Sequence, residues 1–241
     1  MFPFQAIKKT LRVGTQNDSA RAQWVERKLQ EVPGGQRILD AGAGPLRYKP
    51  YCSHLKYVSQ DFAQYDGVGD GKGLQTGGWD QTRLDIVSDI TAIPEPDGSF
   101  DAILCVEVFE HLPNAVLAIA EFSRLLRRGG QLIVTVPFNS LTHFAPYHFC
   151  TGFSRYFFEK HLPAHEFEIR EITLNGNYFE VMGQELRRTT SVARQYTDSR
   201  PRPWEYLALY SVLRMLQRFS SRDAGSRDLA CFGIQVHAIK K

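Results

Sequence analysis

The chain has 241 residues, 43% hydrophobic and 12% aromatic, enough to bury a sizeable core in one large domain. Its 29 basic and 26 acidic residues leave a formal charge of +3, far from the basic footprint of a dedicated nucleic-acid binder, so no nucleic-acid partner is expected. Four scattered cysteines, Cys52, Cys105, Cys150 and Cys231, include no C-x-x-C pair for a thiolate metal site or redox couple, and free thiols are expected.

Short β-branched or aromatic runs alternate with stretches of helical period, which argues for βαβ units and a parallel sheet covered on both faces. The opening "MFPFQAIKKTLRVG" lacks the apolar run of a signal peptide, and no window is apolar enough for a membrane span, so a cytoplasmic location is the expectation. Residues 1–35 read as an N-terminal extension, in which "FQAIKKTLR" is a lid or a frayed end. The first strand, "RILDAG" (37–42), runs into "AGPLRY". There Gly42 and Gly44 let backbone approach a ligand closely, and Pro45 suits the first turn of a helix whose N–H groups could bind a carboxylate or phosphate. Asp40 precedes that turn. The second strand, "YVSQDF" (57–62), ends in Asp61, where a carboxylate can hold both hydroxyls of an adenosine ribose.

Next comes the densest glycine run, "DGVGDGKGLQTGG" (66–78). It fails as a Walker loop, because Asp66 takes the first glycine position and Gly73 the hydroxyl position. It fails as a calcium loop, because Val68 and Gly77 stand where oxygen ligands belong. Its glycines disfavour a helix, and a mobile flap beside the adenosine site is expected. The third strand, "LDIVSD" (84–89), ends in Asp89, an acceptor for the exocyclic amine of adenine.

The fourth strand, "FDAILCV" (100–106), holds Cys105 as a core residue and leads into "EVFEHLP", where His111 is a candidate general base. "EVFEH" is too compact a cluster to carry a metal, and none is expected. A helix, "NAVLAIAEFSRLLRR" (114–128), opens at Asn114, closes at Gly129 and Gly130, and leads to the fifth strand, "GQLIVTVP" (130–137). Inserts at about 138–166 and 175–228 flank the strand "FEIREITL" (167–174) and are the expected substrate walls. The first carries His143 and His148, further candidates for a base or for orienting substrate. The second carries the arginine-rich "ELRRTTSVARQYTDSRPRPW" and a helix, "WEYLALYSVLRMLQRF" (204–219). This helix sets Ser211, Arg214 and Arg218 against Leu209, Val212, Leu213, Leu216 and Phe219, a face for the sheet, a second subunit or a peripheral membrane contact. "LACFGIQVHAI" (229–239) is the last strand.

In order, "LDAGAGPLRY", "QDF", "DIVSDITAIPEPDGSFDAILCVEVFEHLP" and "RLLRRGGQLIVTVP" resemble the motifs of class I S-adenosylmethionine-dependent methyltransferases. The resemblance is to the small-molecule, type 11-like branch, with its E-x-x-E-H-x-P signature after the fourth strand. It covers about residues 36 to 137 and continues more weakly through "PYHFCTGFSRYFFEKHL". It implies an α/β fold: a Rossmann-like doubly wound sheet of about seven strands, mostly parallel with the last antiparallel, helices on both faces, in a single domain over 36–241.

It implies S-adenosyl-L-methionine as cofactor. Asp40, Gly42 and Gly44 would surround its methionine part, with Asp61 on the ribose, Phe62 beside adenine, Asp89 and Ile90 at the adenine, and Cys105 to Glu107 near the amino-acid end. Leu46 departs from the pattern, since many members have a third glycine nearby. The expected reaction is methyl transfer to an oxygen, or a nitrogen, of a small-molecule, sugar or lipid-linked acceptor, with His111 or His148 as base. An NAD(P)-dependent oxidoreductase of Rossmann type is the alternative, opposed by the missing third glycine and by Asp40 two residues before the first. A non-catalytic module that binds the same cofactor is the other.

Overall fold

A computed structural model describes residues 11–241; the first ten residues, with most of the "FQAIKKTLR" lid candidate, lie outside the described residues. The sheet consists of β1 (Arg37–Ala41), β2 (Lys56–Asp61), β3 (Ile86–Val87), β4 (Phe100–Val106), β5 (Leu126–Pro137), β6 (Phe167–Asn175) and β7 (Gly233–Lys240). Their spatial order is β3-β2-β1-β4-β5-β7-β6. β1 pairs in parallel with β2 and β4, β2 with β3 and β4 with β5, while β7 runs antiparallel to β5. The expected Rossmann-like architecture is therefore present. The strand order reverses between β1 and β4, so their carboxyl ends flank the crevice where ligands bind in such sheets.

Burial explains why these segments are strands. Ile38, Leu39, Ala102, Ile103, Leu104 and Cys105 are all completely buried, the unbroken apolar run of parallel strands covered on both faces. Ile38, Ala102, Leu104 and Ile133 pack with Trp24, Val25 and Leu29 of α1 (Asn17–Glu31). The pleat turns the alternate residues, Leu39 and Ile103 among them, to the other face. α2 (Ala115–Leu125) starts at Asn114, whose side chain accepts the Val116 N–H at 3.1 Å. α3 (Arg155–Ala164) brings Phe158 to Phe109, and α2 brings Phe122 to the same ring, with both centroid separations 6.2 Å.

Four local expectations fail for identifiable reasons. No α-helix follows β1: Leu46 lies at φ 61°, outside the helical region, and turns lead to a short 3-10 segment, Lys49–Cys52. The third strand shrinks to Ile86–Val87 because Asp85 Oδ2 takes the backbone N–H and hydroxyl of Ser59, at 2.9 and 2.7 Å. α2 stops at Leu125 because Leu126 is already extended and paired with Phe100; a bulge then carries the chain to the Ala102–Gln131 pairing. Finally, α1, α3 and α4 (Tyr178–Tyr196) occupy stretches read as extension or connection.

The chain forms two compact units, one of Arg21–Thr173 with Gly233–Lys241, the other of the described residues through Ala20 with Leu174–Phe232. In the second, α4 is capped by Asn177, which accepts the Glu180 N–H at 3.1 Å. Leu213 and Leu216 of α5 (Pro203–Ser220) pack with Phe179, Met182 and Leu186 of α4 and with Leu11 and Val13. Arg187 donates to the carbonyls of Val13 and Leu11, both at 2.8 Å. A cleft of about 510 Å³ in this unit is lined by Leu11, Leu213, Tyr206, Arg187 and Arg194 among others.

Candidate functional site

Asp40 is buried near the end of β1, its carboxylate accepting the Tyr57 hydroxyl at 2.6 Å. Burial lifts its carboxyl to about 7; the Tyr57 hydrogen bond opposes the rise and neighbouring Asp61 adds to it. Asp61, also buried, ends β2 and holds the glycine turn: Oδ2 accepts Gly44 N–H at 2.9 Å and Oδ1 accepts Ala63 N–H at 3.0 Å. The N–H groups of Gly42 and Ala43 both go to the Gln60 carbonyl, at 2.8 and 2.9 Å. These three turn amides are thus engaged within the protein, and the anion cradle expected of them is not what the turn provides. Glycine is needed there all the same: Gly42 has φ 78°, and an added Cβ would overlap the Val108 side chain.

The adenine-side residues diverge. Phe62 meets the Tyr147 ring edge-on at 5.0 Å between centroids, and Ile90 is buried. Asp89 is exposed and caps its own loop, accepting Thr91 N–H and hydroxyl at 2.8 Å each. At the end of β4, Cys105 is fully buried, and burial first, then Asp40, Glu110 and Glu107, push its thiol well up, so it is no nucleophile. Glu107 sits at φ 54° and turns the chain out of the strand; its carboxylate accepts Thr135 Oγ1 at 2.9 Å and pairs with Arg21 at 2.8 Å.

Beyond β4, the structure assembles a cluster that the sequence reading did not. His111 ends the 3-10 turn Phe109–His111, and His143 and His148 come from the insert after β5. Ring nitrogens of the three lie within 4.8 Å of one another. His111 stacks on Phe144 at 4.8 Å, and Phe144 stacks on Tyr65 at 4.6 Å with Trp79 edge-on at 5.1 Å. Burial, assisted by His143 and His148, lowers the His111 imidazole to about 4 against the opposing Tyr147 carbonyl, so it is neutral at pH 7. Glu110, only 1% exposed, stands beside it with its carboxyl raised by burial and then by Glu107. Its signal lay in the E-x-x-E-H spacing itself.

The glycine run read as a flap is tied to this insert. Leu74 pairs with His143 in a parallel bridge; Leu74 N–H meets the Thr142 carbonyl at 3.0 Å, Phe144 N–H the Leu74 carbonyl at 3.1 Å and Asp70 N–H the Ala145 carbonyl at 3.0 Å. Gly67, Gly69 and Gly73 all have positive φ, and a Cβ on them would overlap the carbonyl oxygens of Gly77, Ala145 and Thr142. At Gly69 and Gly73 the insert's backbone, and at Gly67 the run's own, approaches too closely for a side chain.

Comparison with known proteins is consistent with this geometry. Residues 39–134 match the family model described as a methyltransferase domain. Over 118 residues the chain is 31% identical to the ubiquinone biosynthesis O-methyltransferase of Xanthomonas axonopodis pv. citri (strain 306), 48% of each chain. It thus spans about half the length of the curated relatives it matches. Among solved structures it resembles the 4+2 cyclase SpnF, with a TM-score of 0.54 and 18% identity over 91% of this chain and 80% of that one. It also resembles Haemonchus contortus phosphoethanolamine N-methyltransferase 2 in complex with S-adenosyl-L-methionine, at 0.51 and 17% over 93% of this chain and 52% of that one. At such identities the structural likeness is one of fold. Among the described residues no helix is long and apolar enough to cross a membrane.

Proposed function

We infer from the match over residues 39–134 that the chain is a class I S-adenosylmethionine-dependent methyltransferase of the type 11 branch, and that it transfers a methyl group to an oxygen, or a nitrogen, of a small-molecule acceptor. The observation that carries the reading is the pair of buried acids, Asp40 and Asp61, at the carboxyl ends of adjacent parallel strands.

The donor set fits the cofactor. A buried carboxyl held near 7 becomes a stable carboxylate when a cation lies beside it, and S-adenosylmethionine carries both a sulfonium and an ammonium. Each oxygen of Asp61 spends one lone pair on a backbone N–H, which leaves capacity for the ribose hydroxyls. When bound, the cofactor supplies an electrophilic methyl group. The protein aligns the acceptor for in-line displacement and keeps water out.

An acceptor hydroxyl must lose its proton during transfer. Nδ1 of His111 lies 2.6 Å from the Tyr147 carbonyl, which can only accept, so Nδ1 carries the hydrogen and Nε2 offers its lone pair. His111 is therefore the first candidate for the proton acceptor, with His148 the second. Sugar or lipid-linked acceptors fall within the same chemistry.

Calorimetric titration with S-adenosylhomocysteine and, separately, NAD tests the cofactor assignment. Binding of the former with no heat from the latter is expected. The reverse pattern would overturn the reading in favour of an oxidoreductase. Radiolabelled methyl incorporation into a panel of phenols, sugars and amines then separates an enzyme from a binding module.

A further inference from the structure

We infer that His111, His143 and His148 form a binding site for one divalent first-row transition ion, with Glu110 as its charge-balancing carboxylate. The inference rests on the methyltransferase reading only for what the ion would do there, not for its binding.

The tautomers are fixed from outside the cluster. Nδ1 of His111 faces the Tyr147 carbonyl at 2.6 Å and Nδ1 of His143 faces the Leu141 carbonyl at 2.8 Å. Both Nδ1 atoms therefore carry hydrogen, and both Nε2 atoms present lone pairs. This is the outer-shell arrangement that orients histidine ligands, each ring held through its other nitrogen. Both Nε2 atoms lie 3.8 Å from the same oxygen, Oε1 of Glu110. Two imidazole lone pairs and one carboxyl oxygen converge on one place.

Unspent hydrogen-bonding capacity marks the same place. Nε2 of His111, both ring nitrogens of His148 and Oε2 of Glu110 are buried without a hydrogen-bond partner. Buried polar atoms are nearly always paired, with protein, water or a ligand, and four such atoms open onto this one place. A cation would take the lone pairs of His111 Nε2 and of one His148 nitrogen, and Glu110 would balance its charge.

The donor set names the class of ion. Three imidazoles suit zinc, iron(II), cobalt(II) or nickel(II), whereas magnesium and calcium want oxygen ligands throughout. Nitrogens around a tetrahedral zinc ion stand about 3.4 Å apart. The present spread reaches 4.8 Å, so binding turns the rings inward. Three protein nitrogens leave a position open, as in catalytic zinc sites. An acceptor hydroxyl bound there would ionise at neutral pH, its proton passing to Glu110 or solvent in place of His111, whose Nε2 lone pair the ion would hold. Its oxygen would then form the bond to the methyl carbon as the carbon–sulfur bond breaks and the sulfonium becomes a neutral thioether.

The test uses the full chain, freed of metal with a chelator and desalted. Zinc titration with elemental analysis should give one ion per chain, and cobalt(II) should produce the visible absorption of a low-coordinate, nitrogen-bound ion. The double variant His143→Ala/His148→Ala should bind zinc at least tenfold more weakly. The inference is overturned if the parent chain takes up no stoichiometric zinc, or if the folded double variant binds it equally well. Should that variant fail to fold, His148→Gln, which changes one half-buried ring, replaces it under the same criteria.

S-adenosylhomocysteine titration of the same preparations keeps the two readings apart. Cofactor binding without zinc binding removes the metal site alone. Zinc binding without cofactor binding leaves the metal site standing and removes the methyltransferase reading.

Discussion

At the ends of β1 and β2 the polar groups support one another: Tyr57 donates to Asp40, Asp61 holds Gly44 and Ala63, and Gln60 holds Gly42 and Ala43. Beyond β4, in the same compact unit, His111, His148 and Glu110 bury polar atoms with no hydrogen-bond partner. The acid end is preorganised before any ligand arrives, which lowers the cost of binding. The histidine end carries unspent hydrogen-bonding capacity. Each end should therefore be open to damage without the other, and the variants below try to break that separation.

The largest effect is expected at the tie between the glycine run and the insert. Gly69 has φ 53°, and a Cβ there would overlap the Ala145 carbonyl oxygen. Gly69→Ala thus combines backbone strain with a collision, a cost of about 3 kcal/mol that is relieved by displacing the insert. Zinc affinity should fall about a hundredfold or more, while S-adenosylhomocysteine affinity stays within about threefold. Parallel losses at both ends would show that they form one cooperative site.

Asp61→Ala makes the opposite cut. It removes a buried carboxylate that accepts two backbone N–H groups, each such charge-assisted bond worth about 1.5–3 kcal/mol. Calorimetry should show S-adenosylhomocysteine affinity reduced about thirtyfold or more with zinc stoichiometry unchanged. Equal cofactor affinity in variant and parent would remove Asp61 from the cofactor site.

The two ends also differ in how far the sequence discloses them. Asp40, Asp61 and His111 are legible because each lies near the end of a buried parallel strand or just after it, where the apolar run is a local signal, and β4 occurs over the predicted residues. The convergence of His143 and His148 on His111 depends on the Leu74–His143 bridge, a non-local pairing that no local pattern encodes. The glycine run advertised itself by composition, but its meaning lies in the backbone opposite. α4 was hidden for a related reason: Thr189, Thr190 and Ser191 weaken its helical signal, and its apolar stripe of Phe179, Met182 and Leu186 makes sense only against α5. The helix expected after β1 failed on one residue, Leu46, whose positive φ cannot be read from its side chain.

The smallest expected effect is the most direct probe of the acid end. In the free protein the Asp40 carboxyl is lifted to about 7, chiefly by burial. A cation bound beside it lowers that value, so binding at pH 6 must release a proton that binding at pH 8 need not. The sign follows: cofactor affinity is full above 7 and falls by about tenfold as pH drops from 8 to 6. Calorimetry in buffers of different ionisation enthalpy counts the proton, close to one at pH 6 and near zero at pH 8. Asp40→Asn should release none and lose the slope. A parent protein whose affinity is flat over the range would mean that binding leaves the protonation of Asp40 unchanged, and one whose affinity rises toward pH 6 would mean that Asp40 is protonated against its ligand, the acid end then recognising a neutral group where the cofactor presents its charge.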